Sequence, residues 1–340
     1  MSSTLVIQTS FLGDTVLTTP LLAQLANRGP VDVVTTPASA ALLANHPAVR
    51  TVIPYDKRGA DRGVRGVLRL ARRLRRTGYD LALLAQGSWR SAALALLARI
   101  PERVGFNTSA GRALYTKRVP YRDDLHHAAR LLMLARPNGR EPTPDELRPS
   151  LAPGPAERAA VDALLEHNGV LGGERLVALA PGSVWGTKRW PYYPELAQLL
   201  APHARVVVLG SREDAVLAGA ITAAEPTAID ATGALSLLAS AELIRRCGVV
   251  VTNDSAPLHL ASAMGTPTVA IFGPTVPDFG FGPLAPRASV VGEDTLPCRP
   301  CDRHGPQECP LGHHRCMRGL TPALVAERAL ALLLTPDVLA

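Results

Sequence analysis

Short apolar, β-branched runs alternate along this chain with longer stretches whose apolar residues recur every three or four positions, which predicts parallel strands joined by helices. Leu5-Val6-Ile7 reads as a strand that breaks at Thr9-Ser10-Phe11-Leu12-Gly13-Asp14, after which Val16, Leu17, Leu21, Leu22 and Leu25 mark a helix. Residues 31–34, 49–53, 81–84 and 103–105 are further short strands separated by helical patterns, as in a doubly wound α/β domain. From Arg136 to Pro155 the chain is rich in charge, Gly and Pro, including Pro137, Pro142, Pro144, Pro149 and Pro153, and an interdomain linker is expected there. A second α/β series begins with residues 176–179, passes through Pro181 to Pro191 into a helix, and continues with 206–209 and the small-residue loop Gly210 to Asp214. Val249 to Val251 then lead into a polar loop and a helix with Pro257 in its first turn; Asp254 or Ser255 is the expected cap. Gly265-Thr266-Pro267 stops that helix before a strand at Thr268 to Phe272. The last helical pattern, from Pro322 to Leu334, could pack on either domain.

At 340 residues the chain exceeds one ordinary core. The expectation is a domain over 1–150, a second over 151–320, and a C-terminal helix within 321–340 that could pack back on the first. Lys and Arg outnumber Asp and Glu by 36 to 29, a net charge of +7 that suits an acidic partner. Aromatic residues make up only 4% and do not interleave with the basic segment, so a nucleic-acid partner is not expected. Met1-Ser-Ser-Thr lacks the basic n-region of a signal peptide, and no apolar run approaches the ~18 residues of a spanning helix. A cytoplasmic protein is expected.

The helix start after Val251 presents unpaired N–H groups outward, at the strand ends where open α/β sheets bind ligands, and such a start favours phosphate. Ser255 and His259 lie four apart and share a helical face, so both could address one anion. No Gly-x-Gly-x-x-Gly follows a predicted strand, Gly182 to Lys188 lacks the Gly-Lys-Ser/Thr ending of a P-loop, and no Gly-x-Ser-x-Gly elbow supports a serine hydrolase.

Four motifs occur in order: Gly13-Asp14-Thr-Val-Leu-Thr-Thr-Pro20, Pro181-Gly-Ser…Lys188-Arg-Trp-Pro191, Thr252-Asn-Asp-Ser-Ala-Pro-Leu-His259, and Cys298-Arg-Pro-Cys301…Cys309-Pro…His313-His-Arg-Cys316-Met. In these the chain resembles glycosyltransferase family 9, the ADP-heptose:lipopolysaccharide heptosyltransferases, particularly the heptosyltransferase II branch, over nearly its whole length. The resemblance implies a GT-B architecture: two facing Rossmann-like doubly wound parallel-sheet domains with a cleft between them. It also implies inverting transfer of L-glycero-D-manno-heptose from ADP-heptose to the inner core of lipopolysaccharide, with no catalytic metal. Rival readings are a GT-B nucleotide-sugar 2-epimerase, which would turn over donor alone, and a non-catalytic nucleotide-sugar-binding protein.

Inverting transfer needs a carboxylate to take the acceptor hydroxyl's proton. Asp14 is placed for that, and a helix N-cap is its alternative role. Departure of ADP needs a cation for the diphosphate, expected from Lys188 together with backbone donors of the turn formed by Asp254, Ser255, Ala256 and His259. The alternatives there are a solvated surface Lys188, a purely capping Asp254 and a core His259. Ser183, Ser211, Glu213, Thr232 and Gly233 lie at predicted strand ends and are candidates for ribose or adenine.

Gly13, Lys57, Arg58, Arg62, Arg65 and Arg69 are candidates for the acceptor. Over Lys57 to Arg76, residues Arg62, Arg65, Arg69, Arg72, Arg73 and Arg76 share one helical face, opposite Val64, Val67, Leu68, Ala71 and Leu74. Such a face is often simply solvated. Its sharper use is to hold an anionic acceptor, Kdo carboxylates or lipid A phosphates, with attraction to an anionic membrane making the enzyme peripheral at the cytoplasmic face of the inner membrane. Cys298, Cys301, Cys309 and Cys316 could form a structural zinc or iron site, with His304, His313 and His314 as alternative ligands. Free thiols or disulfides are the other readings, the latter disfavoured in a reducing compartment.

Overall fold

The computed structural model describes residues 3–136 and 139–335. The chain divides into two compact units, residues 1–152 and 153–340. The first carries strands β1 (Thr4–Gln8), β2 (Val31–Thr35), β3 (Thr51–Pro54), β4 (Leu81–Leu84), β5 (Glu102–Phe106) and β6 (Lys117–Val119). Their order across the sheet is β3-β2-β1-β4-β5-β6, and every pair is parallel. Because helices cover such sheets on both faces, central strands read as unbroken apolar runs. Leu5, Val6 and Ile7 are fully buried. One face packs Leu5, Ile7, Val34 and Leu84 against Leu70, Ala71 and Leu74 of helix Gly63–Thr77 and Ala92 and Leu94 of helix Trp89–Leu97.

Helix Leu12–Ala26 packs against helix His127–Met133 and holds Pro20 in its interior. An interior proline removes the donor that would meet the carbonyl four residues back. Here the Thr19 hydroxyl donates to Val16 O at 2.7 Å and meets that acceptor instead.

The second unit carries β7 (Leu176–Ala180), β8 (Arg205–Val208), β9 (Ile229–Asp230), β10 (Val249–Asn253), β11 (Thr268–Phe272) and β12 (Ala288–Gly292). All pairs are again parallel, in the order β12-β11-β10-β7-β8-β9, so each unit has the doubly wound arrangement with its first and fourth strands adjacent at the centre. The two Rossmann-like α/β units are as the sequence predicts. Three short strands at sheet edges, β6, β9 and β12, carry no strong apolar run and are not anticipated.

The structure makes three expectations more exact. Helix Pro322–Leu334 buries Val325, Ala326 and Ala329 in the second unit's own core, beside Val251 and Ile271. The apolar side of helix Gly63–Thr77 is Gly66, Val67, Leu70, Ala71 and Leu74, with Val67, Ala71 and Leu74 as expected, while Val64 in its first turn is 73% exposed. The boundary between the units, at 152/153, falls within the Pro-rich stretch 136–155 expected as the linker, and that stretch also bonds to its surroundings: Glu146 accepts from Arg136, Arg140 and the Thr143 N–H, and Ser150 N–H donates to Thr19 Oγ1. Pro137 lies outside the described residues.

Candidate active site

In the first unit the central switch point is occupied by the loop after β1. Thr9 anchors it: its carbonyl accepts from Lys57 Nζ at 2.6 Å, and its hydroxyl accepts from Gln86 Nε2 at 2.6 Å, an amide that also donates to Ser91 Oγ. Lys57 therefore holds this loop from within. Gly13 is buried in the first turn of the following helix.

Asp14 stands one residue further on, 16% exposed at its side chain. Phe11 is the N-cap by position, and the Asp14 carboxylate accepts its N–H at 3.3 Å, so the capping alternative holds in altered form: Asp14 is the third residue of the helix reaching back. Burial lifts its pKa from 3.8 to about 6, against the lowering effect of the Phe11 N–H and the Ser10 side chain. His127, from helix His127–Met133, places Nε2 3.6 Å from Asp14 Oδ1. The sequence carried no signal for this partner, since 113 positions separate the two residues. A carboxylate near pH 6 in its affinity for protons is a competent general base.

Arg58, Arg62, Arg65, Arg69, Arg72, Arg73, Arg75 and Arg76 are all solvent-exposed. Arg62 is the N-cap of its helix. Arg69 is engaged within the unit, donating to Ala60 O at 2.8 Å and pairing with Asp61.

In the second unit the loops after β7 and β10 meet. Lys188 and Asp254 are both buried, and Nζ lies 2.5 Å from Asp254 Oδ2, which also accepts from the Thr275 hydroxyl at 2.7 Å. Lys188 is thus neither solvated nor unpaired. Asp254 is no cap: Ser255 occupies the N-cap of helix Ala256–Met264 and makes no side-chain bond to the helix start. In the first turn Pro257 has no N–H and the Leu258 N–H donates to Ser255 O at 3.1 Å, so the Ala256 N–H is the donor that heads the helix. Asn253 locks the two loops together, donating to Pro181 O at 2.8 Å and accepting from Trp190 N–H and Tyr193 Oη at 3.3 Å. His259 is 5% exposed with its ring edge-to-face with Phe281 at 6.3 Å, so it lies inside the packing.

Thr275 and Asn253 were missed as participants, as was Arg299. The guanidinium of Arg299 is 3% exposed and donates to the carbonyls of Phe272, Gly273 and Thr275, fixing the turn that delivers the Thr275 hydroxyl. No spacing signals such a contact.

The remaining donor candidates sit at neighbouring strand ends. Ser183 Oγ accepts from Trp185 N–H, Ser211 donates to Asp214 through N–H and Oγ, and the Thr232 N–H and hydroxyl both donate to Asp230. Glu213 is exposed. Gly233 adopts φ +66°, and its N–H donates to Gly210 O at 3.0 Å, joining the loops after β8 and β9. A Cβ at Gly182 would stand 2.4 Å from Asp214 Oδ1, so the loops after β7 and β8 are also in close contact.

All five cysteines are free thiols. Burial pushes Cys247 up to about 12 and Cys316 up to about 11. Cys309 goes the other way: burial raises it, but the N–H groups of His314, Leu311, Gly312 and His313 together outweigh that and hold it below the usual thiol range. Cys298, Cys301, Cys309 and Cys316 lie within electrostatic reach of one another. Among the described residues, however, no three His, Cys, Asp or Glu side chains are grouped so as to hold a metal ion.

Residues 67–311 match the family model of glycosyltransferase family 9 (heptosyltransferase). The chain is 31% identical to lipooligosaccharide heptosyltransferase 2 of Haemophilus influenzae, covering 97% of this chain and 99% of that protein. It is equally 31% identical to lipopolysaccharide heptosyltransferase 2 of Escherichia coli over 98% and 99% of the two. The solved structure of E. coli ADP-heptose lps heptosyltransferase II superposes with a TM-score of 0.78 at 29% identity, covering 98% of this chain and 99% of that one.

Proposed function

The chain belongs to glycosyltransferase family 9, the heptosyltransferases, and from that premise we propose that it transfers heptose, with inversion, from ADP-heptose to the inner core of lipopolysaccharide. The observation that carries the transfer chemistry is Asp14, a carboxyl lifted to about 6 at the centre of the first unit's strand ends. In this reading Asp14 takes the proton of the acceptor hydroxyl as that oxygen attacks the anomeric carbon. The C–O bond to the diphosphate breaks, and its electron pair leaves with ADP. Lys188 and the Ala256 N–H at the start of helix Ala256–Met264 take up the charge on the leaving phosphate, and no metal is called on for the step. Ser183, Ser211, Glu213, Thr232 and Gly233 border the nucleoside. The near full-length likeness to heptosyltransferase 2 proteins supports heptose as the sugar and a heptosylated Kdo–lipid A as the acceptor.

The exposed Arg65, Arg72, Arg73 and Arg76 support a further part of the proposal, an anionic acceptor or headgroup surface that keeps the enzyme at the membrane's cytoplasmic face. Among the described residues no helix is long and apolar enough to cross a membrane. The test is ADP release from ADP-heptose with and without a heptosyl-Kdo2-lipid A acceptor. Release should need both substrates; turnover of donor alone would defeat the transferase reading. Reversing the charge of Arg65, Arg72 and Arg73 should weaken binding to vesicles containing anionic lipid while ADP binding stays unchanged.

A further inference from the structure

The turn that carries Lys188 has little support of its own. After β7 the chain runs through Pro181 to a single 3₁₀ turn, Gly186–Lys188, closed by Lys188 N–H to Trp185 O at 3.0 Å. Besides local bonds such as Arg189 N–H to Gly186 O at 3.1 Å and the Lys188–Asp254 pair, it is held by the cysteine-rich segment more than a hundred residues away. The Thr187 N–H and hydroxyl both donate to Pro306 O, at 3.3 and 2.5 Å. Gln307 bridges the turn's entry, accepting the Gly186 N–H at 3.1 Å and donating to Val184 O at 3.0 Å. His314 Nε2 lies 2.8 Å from Thr187 O. A carbonyl only accepts, so Nε2 carries the proton and donates, which settles the tautomer. The fit is close enough that a Cβ at Gly186 would stand 2.4 Å from Gln307 O.

His314 makes this contact from a left-handed backbone, φ +48° and ψ 32°, which glycine adopts without strain and histidine does not. Position 314 therefore carries a side chain where the backbone alone would favour none. The neighbouring Lys188 makes its Nζ contact to Asp254 across the unit from the turn so held.

We infer that Gln307 and His314 are positioning residues for Lys188: they clamp the Gly186–Lys188 turn so that the ammonium is preset against Asp254 and the donor's diphosphate, making the cysteine-rich segment a brace for nucleotide binding. This rests on the reading that Lys188 holds the phosphates. A charge that must meet a ligand to within about half an ångström is sensitive to its supports, even when they never touch the ligand.

The test measures calorimetric dissociation constants for ADP and adenosine, and thermal unfolding, in His314→Gly, Gln307→Ala and Lys188→Gln. His314→Gly relieves the left-handed backbone while removing the clamp, so its melting temperature should hold or rise while ADP binds about three- to tenfold more weakly. Gln307→Ala should weaken ADP similarly, adenosine should bind all these variants as it binds the wild type, and adding His314→Gly to Lys188→Gln should cost no further ADP affinity. Equal losses for ADP and adenosine, or ADP losses that add fully to that of Lys188→Gln, would overturn the brace. Intact ADP binding in His314→Gly and Gln307→Ala beside a clear loss in Lys188→Gln would overturn the brace alone. Intact ADP binding in Lys188→Gln would overturn the phosphate assignment, and the brace with it.

Discussion

Replacing Asp14 by Asn separates what this residue does for the reaction from what it does to the fold. Asn keeps the shape and retains an oxygen to accept the Phe11 N–H, so the reach-back cap survives, but it cannot take up a proton. Loss of general-base assistance should lower transfer by about 10²- to 10⁴-fold. Stability should move the other way. In the unfolded chain the carboxyl releases its proton near 3.8, whereas in the fold burial delays release to about 6. Below 3.8 both states are protonated and the wild type bears no penalty. Between 3.8 and about 6 the unfolded chain ionises while the folded carboxyl stays protonated, so over that interval the wild type loses about 3 kcal/mol relative to its acid form, with no further loss above it. The neutral amide never bears this penalty. Asp14→Asn should therefore exceed the wild type in urea stability by up to about 3 kcal/mol at pH 8, and the advantage should shrink toward zero at pH 4. Paired urea titrations at the two pH values and a transfer assay on folded protein decide it. A variant that keeps more than a tenth of the activity, or is less stable than the wild type by the same amount at both pH values, refutes the assignment.

The same ionisation should shape the rate: kcat/KM for transfer should fall about tenfold per pH unit below about 6, and a limb near 4 would mean that Asp14 titrates as an ordinary aspartate. Lys188→Met alone leaves Asp254 buried without its ammonium and should cost about 3–5 kcal/mol in chemical unfolding. The pair Lys188→Met with Asp254→Leu should recover most of that stability but none of the ADP affinity, and recovery of both would remove Lys188 from nucleotide binding. Timed alkylation read by mass spectrometry should label Cys309 first and leave Cys247 unlabelled until the protein unfolds; early labelling of Cys247 would contradict its burial.

The central strands were legible because parallel strands covered on both faces must be apolar throughout, as residues 5–7, 249–251 and 269–272 are. Edge strands meet no such demand, so Lys117–Val119 and Ile229–Asp230 carry no pattern to read. Asp14 and Lys188 were legible for a related reason: each follows a strand at a switch point, in a loop whose composition breaks the apolar run. Their partners were not. His127 meets Asp14 from a helix that follows β6, Thr275 meets Asp254 from the end of β11, and His314 meets Thr187 from beyond the last strand. Contacts of this kind depend on packing between distant segments, which leaves no trace in local periodicity. Lys57 is similar: its charge suggested a ligand contact, and nothing in the local pattern showed its bond to Thr9 O.

Both units place ionisable groups at the ends of their central strands, where burial works against charge. In the first unit the result is a carboxyl lifted to about 6, and in the second a Lys–Asp pair at 2.5 Å with the Thr275 hydroxyl completing it. The different treatments follow from the different chemistry. A base must be able to gain a proton during turnover, so its charge is left partly unfavourable. A cation that meets a leaving phosphate must stay charged throughout, so a carboxylate balances it and the surrounding turn is clamped. Neither arrangement is what stability alone would select, since an apolar replacement at a buried ion pair is often neutral or stabilising. In the proposed reaction their cost in folding is set by catalysis, and an inverse response of stability and activity at position 14 is the property that would distinguish a catalytic carboxylate from a helix cap.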